Sequence, residues 1–302
     1  MKELTVQFIN FWVHPFNDRW FLNFIKHHFG NEFNVIEVKN KNKCDILISS
    51  VFGPIINNKN IEAKMKIFFY GENLNRFPEY KNINILKNNF DLILGFLPTD
   101  LNNKILRFPL WFMYYPFYDI NDNNANNIID YINNENKKNK NLSKKILASC
   151  IARHDMGGIR SKISNEIGKY GKIAYPSKFR KNCNIGPEPI HKKNFLKNVK
   201  YNICPENSKF PGYHTEKIFQ ALEAGSIPVY WGIDFAEKDI INKNCYIFVN
   251  IENQGKLYSE IKRGVENYEN ILRENIFTEN AKEIIKKYYT DLYECIKNKI
   301  NY

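Results

Sequence analysis

Short apolar runs alternate with longer amphipathic stretches along this chain. Leu4–Asn10, Phe33–Val38, Asp45–Ser49, Lys66–Tyr70 and Asp91–Gly95 have strand length, and Asp18–Phe29 has helical spacing and ends at Gly30. The alternation predicts a first α/β domain with a mostly parallel sheet. Asp119–Ser143 is dense in Asn, Asp and Lys, with apolar pairs only at Ile128-Ile129 and Tyr131-Ile132. It reads as a surface excursion holding one short helix and leading to a linker. Lys145–Ile151 opens a second α/β unit, followed by a loop at Ala152–Gly158, a helix at Ile159–Tyr170, a short strand at Lys172–Tyr175 and a Gly- and Pro-containing loop at Phe179–His191. After Gly232, Tyr246–Val249 reads as a last strand, and Ile261–Leu272 and Thr278–Ile300 as helices. In the last helix Ile284, Tyr288, Leu292, Cys295, Ile296 and Ile300 keep helical spacing, and lysines fill much of the rest. Two roles fit it: packing into a core, back across the first domain, or a basic amphipathic contact with an anionic membrane.

The most informative stretch is Tyr201–Gly232. Tyr201–Cys204 suits the end of a buried strand, Glu206-Asn207-Ser208 and Gly212-Tyr213-His214 are polar loop, and Thr215 is an N-cap residue. Ile218, Phe219, Ala221 and Leu222 give the helix an apolar face, Gly225 stops it, and Ile227–Trp231 is a second buried strand. A strand, loop, helix, strand unit puts the loop and helix N-terminus at the carboxyl edge of a parallel sheet, where ligands bind. Free N–H groups, the positive dipole end and Lys217 suit an anion, Glu216 offers acceptors for vicinal hydroxyls, and Asn207 offers both a donor and an acceptor. An ordinary capped helix carries the same residues. Earlier, Gly71-Glu72-Asn73 follows an apolar run, so Glu72 stands where a general base could face a cleft; a solvated loop carboxylate would read the same way. The aromatic run Trp111–Tyr118 suits either stacking on sugar rings or core packing.

Composition narrows the partners. The 302 residues suffice for two domains of about 150 each, and 43% hydrophobic with 15% aromatic residues can fill sizeable cores. A net charge of +12 calls for an acidic partner, whether nucleic acid, an anionic membrane surface or a nucleotide sugar. The lysines are spread along the chain and no recognition-helix, RNP-type or zinc-finger pattern stands out, which argues against nucleic acid. The six cysteines are scattered without C-x-x-C or zinc spacing, as expected of reduced thiols in a cytoplasm. The start lacks the features of a signal peptide, and no run approaches the roughly 20 apolar residues of a spanning helix.

The run Glu206-Asn207-Ser208, Tyr213-His214-Thr215-Glu216-Lys217 and Ala221–Gly232 resembles the donor-binding signature of the α1,3/1,4-fucosyltransferases, glycosyltransferase family 10. It departs from that pattern at His214, where the family usually carries an apolar β-branched residue, and at Cys204-Pro205, where it usually carries an aromatic one. Gly71-Glu72-Asn73, Asp91–Gly95 and Arg107–Trp111 follow in the family's order. The resemblance implies a GT-B-type α/β fold of two Rossmann-like domains facing a cleft: 1–143 binding the acceptor, 144–274 binding the GDP-sugar, and 275–302 a C-terminal helix. It implies inverting transfer of L-fucose from GDP-β-L-fucose to a hydroxyl, O3 by expectation, of N-acetylglucosamine in a lactosamine-type acceptor, giving Lewis-type antigens on surface lipopolysaccharide. Glu72 would be the base. Arg160 and Lys217 would hold the pyrophosphate, with Arg153 a competitor for the first role, and Asn207, Tyr213 and Glu216 would hold the ribose and sugar. No D-x-D motif is placed to hold a metal, so the mechanism requires no cofactor beyond the donor substrate, and the location implied is cytoplasmic, including the inner membrane face. Another GDP-deoxy sugar as donor, or a nonenzymatic basic polyanion binder, are the other readings.

Overall fold

A computed structural model describes residues 1–12, 19–100, 102, 104–118 and 127–300. The expected helix start at Asp18 and the segment 119–126 lie outside the described residues. The elements in chain order are β1 (Lys2–Ile9), α1 (Arg19–Phe29), β2 (Phe33–Val38), β3 (Lys43–Ser49), β4 (Glu62–Phe69), α2 (Ile83–Asn89), β5 (Leu92–Gly95), β6 (Ile105–Arg107), α3 (Ile128–Lys140), β7 (Ile146–Ser149), α4 (Ile159–Ile167), β8 (Ile173–Ala174), α5 (Pro189–Leu196), β9 (Val199–Ile203), α6 (Glu216–Glu223), β10 (Ile227–Tyr230), β11 (Ile247–Phe248), α7 (Gln254–Glu266), α8 (Tyr268–Arg273) and α9 (Ala281–Ile300). Two compact units result. The first comprises Met1–Asn124, Pro211–Tyr213 and Glu283–Tyr302, and the second Ala125–Phe210 and His214–Lys282.

In the first unit the described strands form one sheet in the order β2-β1-β3-β4-β5-β6, every pair parallel. Strands covered on both faces read as near-continuous apolar runs. That is why Ile67, Phe68, Phe69 and Tyr70 are all fully buried. The carboxyl ends of β1, β3 and β4 lie side by side and release Asn10–Trp12, Ser50–Gly53 and Tyr70–Asn73 at one edge. The aromatic run after β6 is core rather than a sugar platform: Trp111 and Phe112 are completely buried, Tyr115 nearly so, and only Tyr114 is well exposed. Tyr289 of α9 packs against Trp20, Phe24, Phe108 and Phe112. The buried stripe of α9 is Ile285, Tyr289, Leu292, Ile296 and Ile300, one residue displaced from the Ile284/Tyr288 register expected at its start.

In the second unit the order is β11-β10-β9-β7-β8, again parallel. Ile203, Ile227, Val229 and Ile247 from the sheet meet Ile163, Leu257 and Ile261 from α4 and α7 in one core. Three expectations need correction here. The polar stretch before residue 143 holds a 13-residue helix, α3, which buries Ile128 and Ile132 and belongs to this unit. Its Asn136 and Asn139 amides donate to the carbonyls of Leu222 and Glu223, so asparagine density here serves the C-terminal end of α6. α3 and β7 thus lie in the same compact unit. The loop expected at Phe179–His191 ends in α5, started by Pro189 at its first position. The helix expected at Ile261–Leu272 is two, α7 and α8, joined at Asn267.

Gly225 ends α6 as expected, at φ +67°. A Cβ there would also lie 2.4 Å from the backbone nitrogen of Lys140, so glycine lets the end of α3 touch the turn. Among the described residues no helix is long and apolar enough to cross a membrane.

Candidate functional site

The chain leaving β9 stays tied to the sheet. Cys204 N–H donates to Val229 O at 3.0 Å and Glu206 N–H to Trp231 O at 2.8 Å. This carries the Glu206 side chain into the interior, where it is fully buried. Its carboxylate accepts from Thr215 N–H (2.7 Å), Thr215 Oγ1 (2.8 Å), Lys217 Nζ (2.9 Å) and Tyr230 Oη (3.4 Å). Thr215 occupies the N-cap position of α6 but its hydroxyl caps no N–H. The Glu206 carboxylate satisfies the helix entrance instead, and an anion at a helix N-terminus is favoured by the dipole. Lys217 neutralises that anion and also donates to Thr215 Oγ1 at 2.8 Å. Glu206 is the residue that sequence reasoning missed as part of the site. Its signal was a carboxylate between a buried strand and a T-E-K helix start.

Arg160 and Asn207, far apart in sequence, are brought together: Arg160 Nη2 donates to Asn207 Oδ1 at 2.9 Å. The first turn of α4 is fixed by Asp155, which accepts from the N–H groups of Arg160 (2.8 Å) and Ser161 (3.2 Å). Arg160 is only 4% exposed, and its Nη1 is buried with no hydrogen-bond partner among the described residues. A buried unsatisfied donor costs about 1–3 kcal/mol, more when charged, so this arm of the guanidinium is free to take an added acceptor. Arg153, the competing arginine, is exposed on the loop before α4.

Glu216, in the first turn of α6, is partly buried and makes no hydrogen bond among the described residues. Its charge acts on Lys192 of α5, which donates to Gln220 Oε1 at 2.6 Å; burial pushes that lysine's pKa below its ordinary value, and Lys217 pushes the same way. Nothing in the sequence singled out Lys192, because only the packing of α5 on α6 delivers it. His214 Nδ1 accepts from Glu237 N–H at 3.0 Å, pinning the loop after β10, while its Nε2 is buried without a partner among the described residues. Cys204 is buried, which raises its thiol pKa well above the ordinary value.

Glu72 belongs to the first unit, just past the carboxyl end of β4. Its Oε2 accepts from Arg76 Nη1 at 3.0 Å and Tyr213 Oη at 3.3 Å, and its side chain is 23% exposed. Two donors hold the carboxylate in place while it keeps contact with solvent, as a proton acceptor requires. Tyr213 comes with the segment Pro211–Tyr213, which belongs to this unit. Its ring meets Phe96 edge-on at 4.8 Å, and Arg107 bonds the carbonyls of Phe96 and Gly212. The structure thus joins Tyr213 to Glu72 within the first unit. Among the described residues, no group of three or more His, Cys, Asp or Glu is arranged to hold a metal ion.

Comparison with known proteins fits this geometry. Residues 6–114 match the family model of the alpha-(1,3)-fucosyltransferase FucT N-terminal domain, and residues 136–273 match that of the C-terminal part of glycosyltransferase family 10 (fucosyltransferase). An alpha-(1,3)-fucosyltransferase of Helicobacter pylori is 26% identical over 209 residues, 62% of this chain; the match spans only 41% of that longer protein. The crystal structure of an α1,3-fucosyltransferase superposes with a TM-score of 0.67 at 21% identity, covering 98% of this chain and 90% of that one. A structure of such an enzyme with GDP-fucose gives 0.66 at 22% identity with the same coverage. At these identities the superpositions establish the fold, a GT-B-type pair of parallel α/β units. The two family models match the chain in order and together span over four-fifths of it, and the chain belongs to glycosyltransferase family 10, the fucosyltransferases.

Proposed function

We propose that this chain is an inverting glycosyltransferase that moves L-fucose from GDP-β-L-fucose to O3 of N-acetylglucosamine in a lactosamine-type acceptor. The observation that carries this reading is Arg160. Its guanidinium is buried, bonded to Asn207 on one arm and unpartnered on the other, and it lies within the segment matched to the family's C-terminal part. A pyrophosphate would satisfy that arm and draw on Lys217 and the entrance of α6. Asn207, Tyr213 and Glu216 supply hydrogen bonds to ribose and fucose in this reading. The acceptor oxygen attacks C1 of fucose while Glu72 takes its proton. The bond from C1 to the β-phosphate oxygen breaks, its electron pair leaves with GDP, and the β linkage of the donor becomes an α linkage. Arg160 and Lys217 stabilise the charge that develops on GDP. These cations do what a divalent ion does elsewhere, so the reaction needs no cofactor. The product would be a Lewis-type antigen on lipopolysaccharide, made in the cytoplasm, where the six free cysteines stay reduced.

Purified protein is mixed with GDP-fucose and N-acetyllactosamine in EDTA, and GDP release and product mass are measured. A product heavier by one fucose residue is expected. No turnover together with no GDP binding in calorimetry would overturn the reading. A second donor, another GDP-deoxy sugar, is favoured by one observation: His214 puts a buried, unpartnered ring nitrogen where the family usually carries an apolar side chain. Turnover of several GDP-sugars compared under one set of conditions separates the two.

A further inference from the structure

Beside Glu72, at the same edge of the first sheet, three aromatic rings are gathered from three segments. Trp12 follows β1, Phe52 follows β3, and Phe77 ends the single helical turn Leu74–Arg76 just after Glu72. Trp12 and Phe52 lie 4.9 Å apart at 57°, and Phe52 and Phe77 5.9 Å apart at 81°. Trp12 rests on buried Phe69 at 5.6 Å. It also lies directly on Gly71, where a Cβ would be 3.0 Å from its Cη2. Glycine thus brings the indole against the backbone one residue before Glu72.

Phe52 is 44% exposed and stands not singly but in contact with two further rings. It does not sit on a loose loop tip. Phe52 N–H donates to Asn10 O at 2.9 Å, Tyr80 Oη to Gly53 O at 2.6 Å, Asn10 Nδ2 to Pro54 O at 2.9 Å, and Ile55 N–H to Glu79 Oε2 at 2.8 Å. Four bonds over four consecutive residues present the ring to solvent in one place. Ordering has already been done in the free protein, so little conformational entropy remains to be lost on binding.

We infer that Trp12, Phe52 and Phe77 form the subsite on which a pyranose ring of the acceptor saccharide stacks its apolar face, beside the Glu72 carboxylate. The inference rests on the fucosyltransfer reading above and deepens it. A sugar ring has one face of C–H groups, and aromatic faces take such surfaces while ring hydroxyls stay in water. In the aromatic run Trp111–Tyr118, by contrast, Trp111, Phe112 and Tyr115 are buried in the core. Acceptors with a pyranose next to the reacting sugar should bind better than those whose neighbouring residue lacks a clean C–H face.

The test is Phe52→Ala, a substitution at an exposed ring, with Trp12→Phe as a milder second variant. The KM for N-acetyllactosamine should rise about fivefold to tenfold for Phe52→Ala, the loss of one stacked ring. GDP affinity by calorimetry and acceptor-free hydrolysis of GDP-fucose should stay unchanged. A fluorescence titration needs no turnover. Trp20, Trp111 and Trp231 are buried, and Trp12 is only partly so, so adding N-acetyllactosamine should shift the emission of the native protein. The shift should vanish in Trp12→Phe. Intact turnover with an unchanged acceptor KM in Phe52→Ala would overturn the inference alone. A protein without GDP affinity would overturn the fucosyltransfer reading, and the fluorescence titration would still judge this one: no shift at saturating sugar rejects it.

Discussion

Two glutamates of this chain do opposite work because their surroundings differ. Glu206 is fully buried among donors from Thr215, Lys217 and Tyr230, and its charge organises the entrance of α6. Glu72 keeps 23% exposure beside donors from Arg76 and Tyr213, and in the proposed reaction it takes the acceptor's proton. We expect Glu72→Gln to lower transfer about 10²–10⁴-fold and to leave GDP affinity by calorimetry unchanged; retained turnover would remove Glu72 from the base role. Lys217→Ala should do two things at once. It removes a cation from the proposed pyrophosphate site, and it strands the buried Glu206 carboxylate. The second effect should cost about 3 kcal/mol in urea denaturation, near the lower end for broken buried pairs because Lys217 is 22% exposed. Glu206→Gln combined with Lys217→Ala should recover most of that stability and none of the GDP affinity. Recovery of both would show that Lys217 acts only as a structural counter-ion. The T-E-K run and Asn207 were legible in the sequence. The role of Glu206 was not, because its donors converge only when the end of β9, the start of α6 and Tyr230 pack together.

At the scale of elements, Lys144 shows how helix ends are closed in the second unit. Its Nζ donates to Lys197 O at 2.8 Å and Ala224 O at 3.0 Å, the C-cap carbonyls of α5 and α6. Burial, with a smaller push from the Lys197 charge, lowers its pKa to about 8 from the ordinary 10.5. The unfolded chain therefore binds this proton more tightly than the folded one. The group weakens the fold below about pH 8, and that cost is relieved as pH rises from about 8 towards 10.5. Native protein should gain about 2 kcal/mol over that window relative to Lys144→Met, read as the difference between their urea-denaturation profiles. A pH-independent difference would mean that the two carbonyls fully compensate the burial. Elements of strong periodicity were legible: β1 to β5, α4 and α6 lie where apolar spacing put them, whereas the three-residue β6 is too short to show a period. α9 shows the boundary of that method. Ile284, Ile285, Tyr288 and Tyr289 are all apolar and adjacent, so spacing allows two faces, and the rings of Trp20, Phe24, Phe108 and Phe112 select the one carrying Tyr289. That face is spent on the core of the first unit. α3 was expected only as a short helix on the surface, because its partners are hydrogen bonds and two isoleucines, not a continuous apolar stripe.

For the whole molecule, ligand binding and charge give the measurable consequences. GDP at a hundredfold excess over its Kd should add about 2.7 kcal/mol to the stability of the state that binds it. Calorimetry should show the melting temperature rise by roughly 5–10 °C, in the transition belonging to the second unit if the two units melt apart. Arg160→Ala should abolish the shift and Glu72→Gln should retain it; a shift that survives Arg160→Ala would place GDP elsewhere. The charge of +12 should give only weak, salt-labile association with duplex DNA, gone at physiological ionic strength in a gel shift. A salt-resistant complex would restore the polyanion-binding reading.

The sequence by itself determined the α/β class, the parallel strands and the family, because buried strands need apolar runs and the family's signature is a fixed order of small, polar and cationic residues around one helix start. Those are local requirements, met within thirty or so residues, and so they are visible one window at a time. Tertiary structure alone decided that Glu206 rather than Thr215 closes α6, that Tyr213 meets Glu72, that Arg160 is buried with one arm unpartnered, and that Trp12, Phe52 and Phe77 gather beside Glu72. Each is a meeting of segments far apart in the chain, fixed by strand order and by which side chains fill the space between sheet and helix, and neither quantity has a periodicity that a sequence can display.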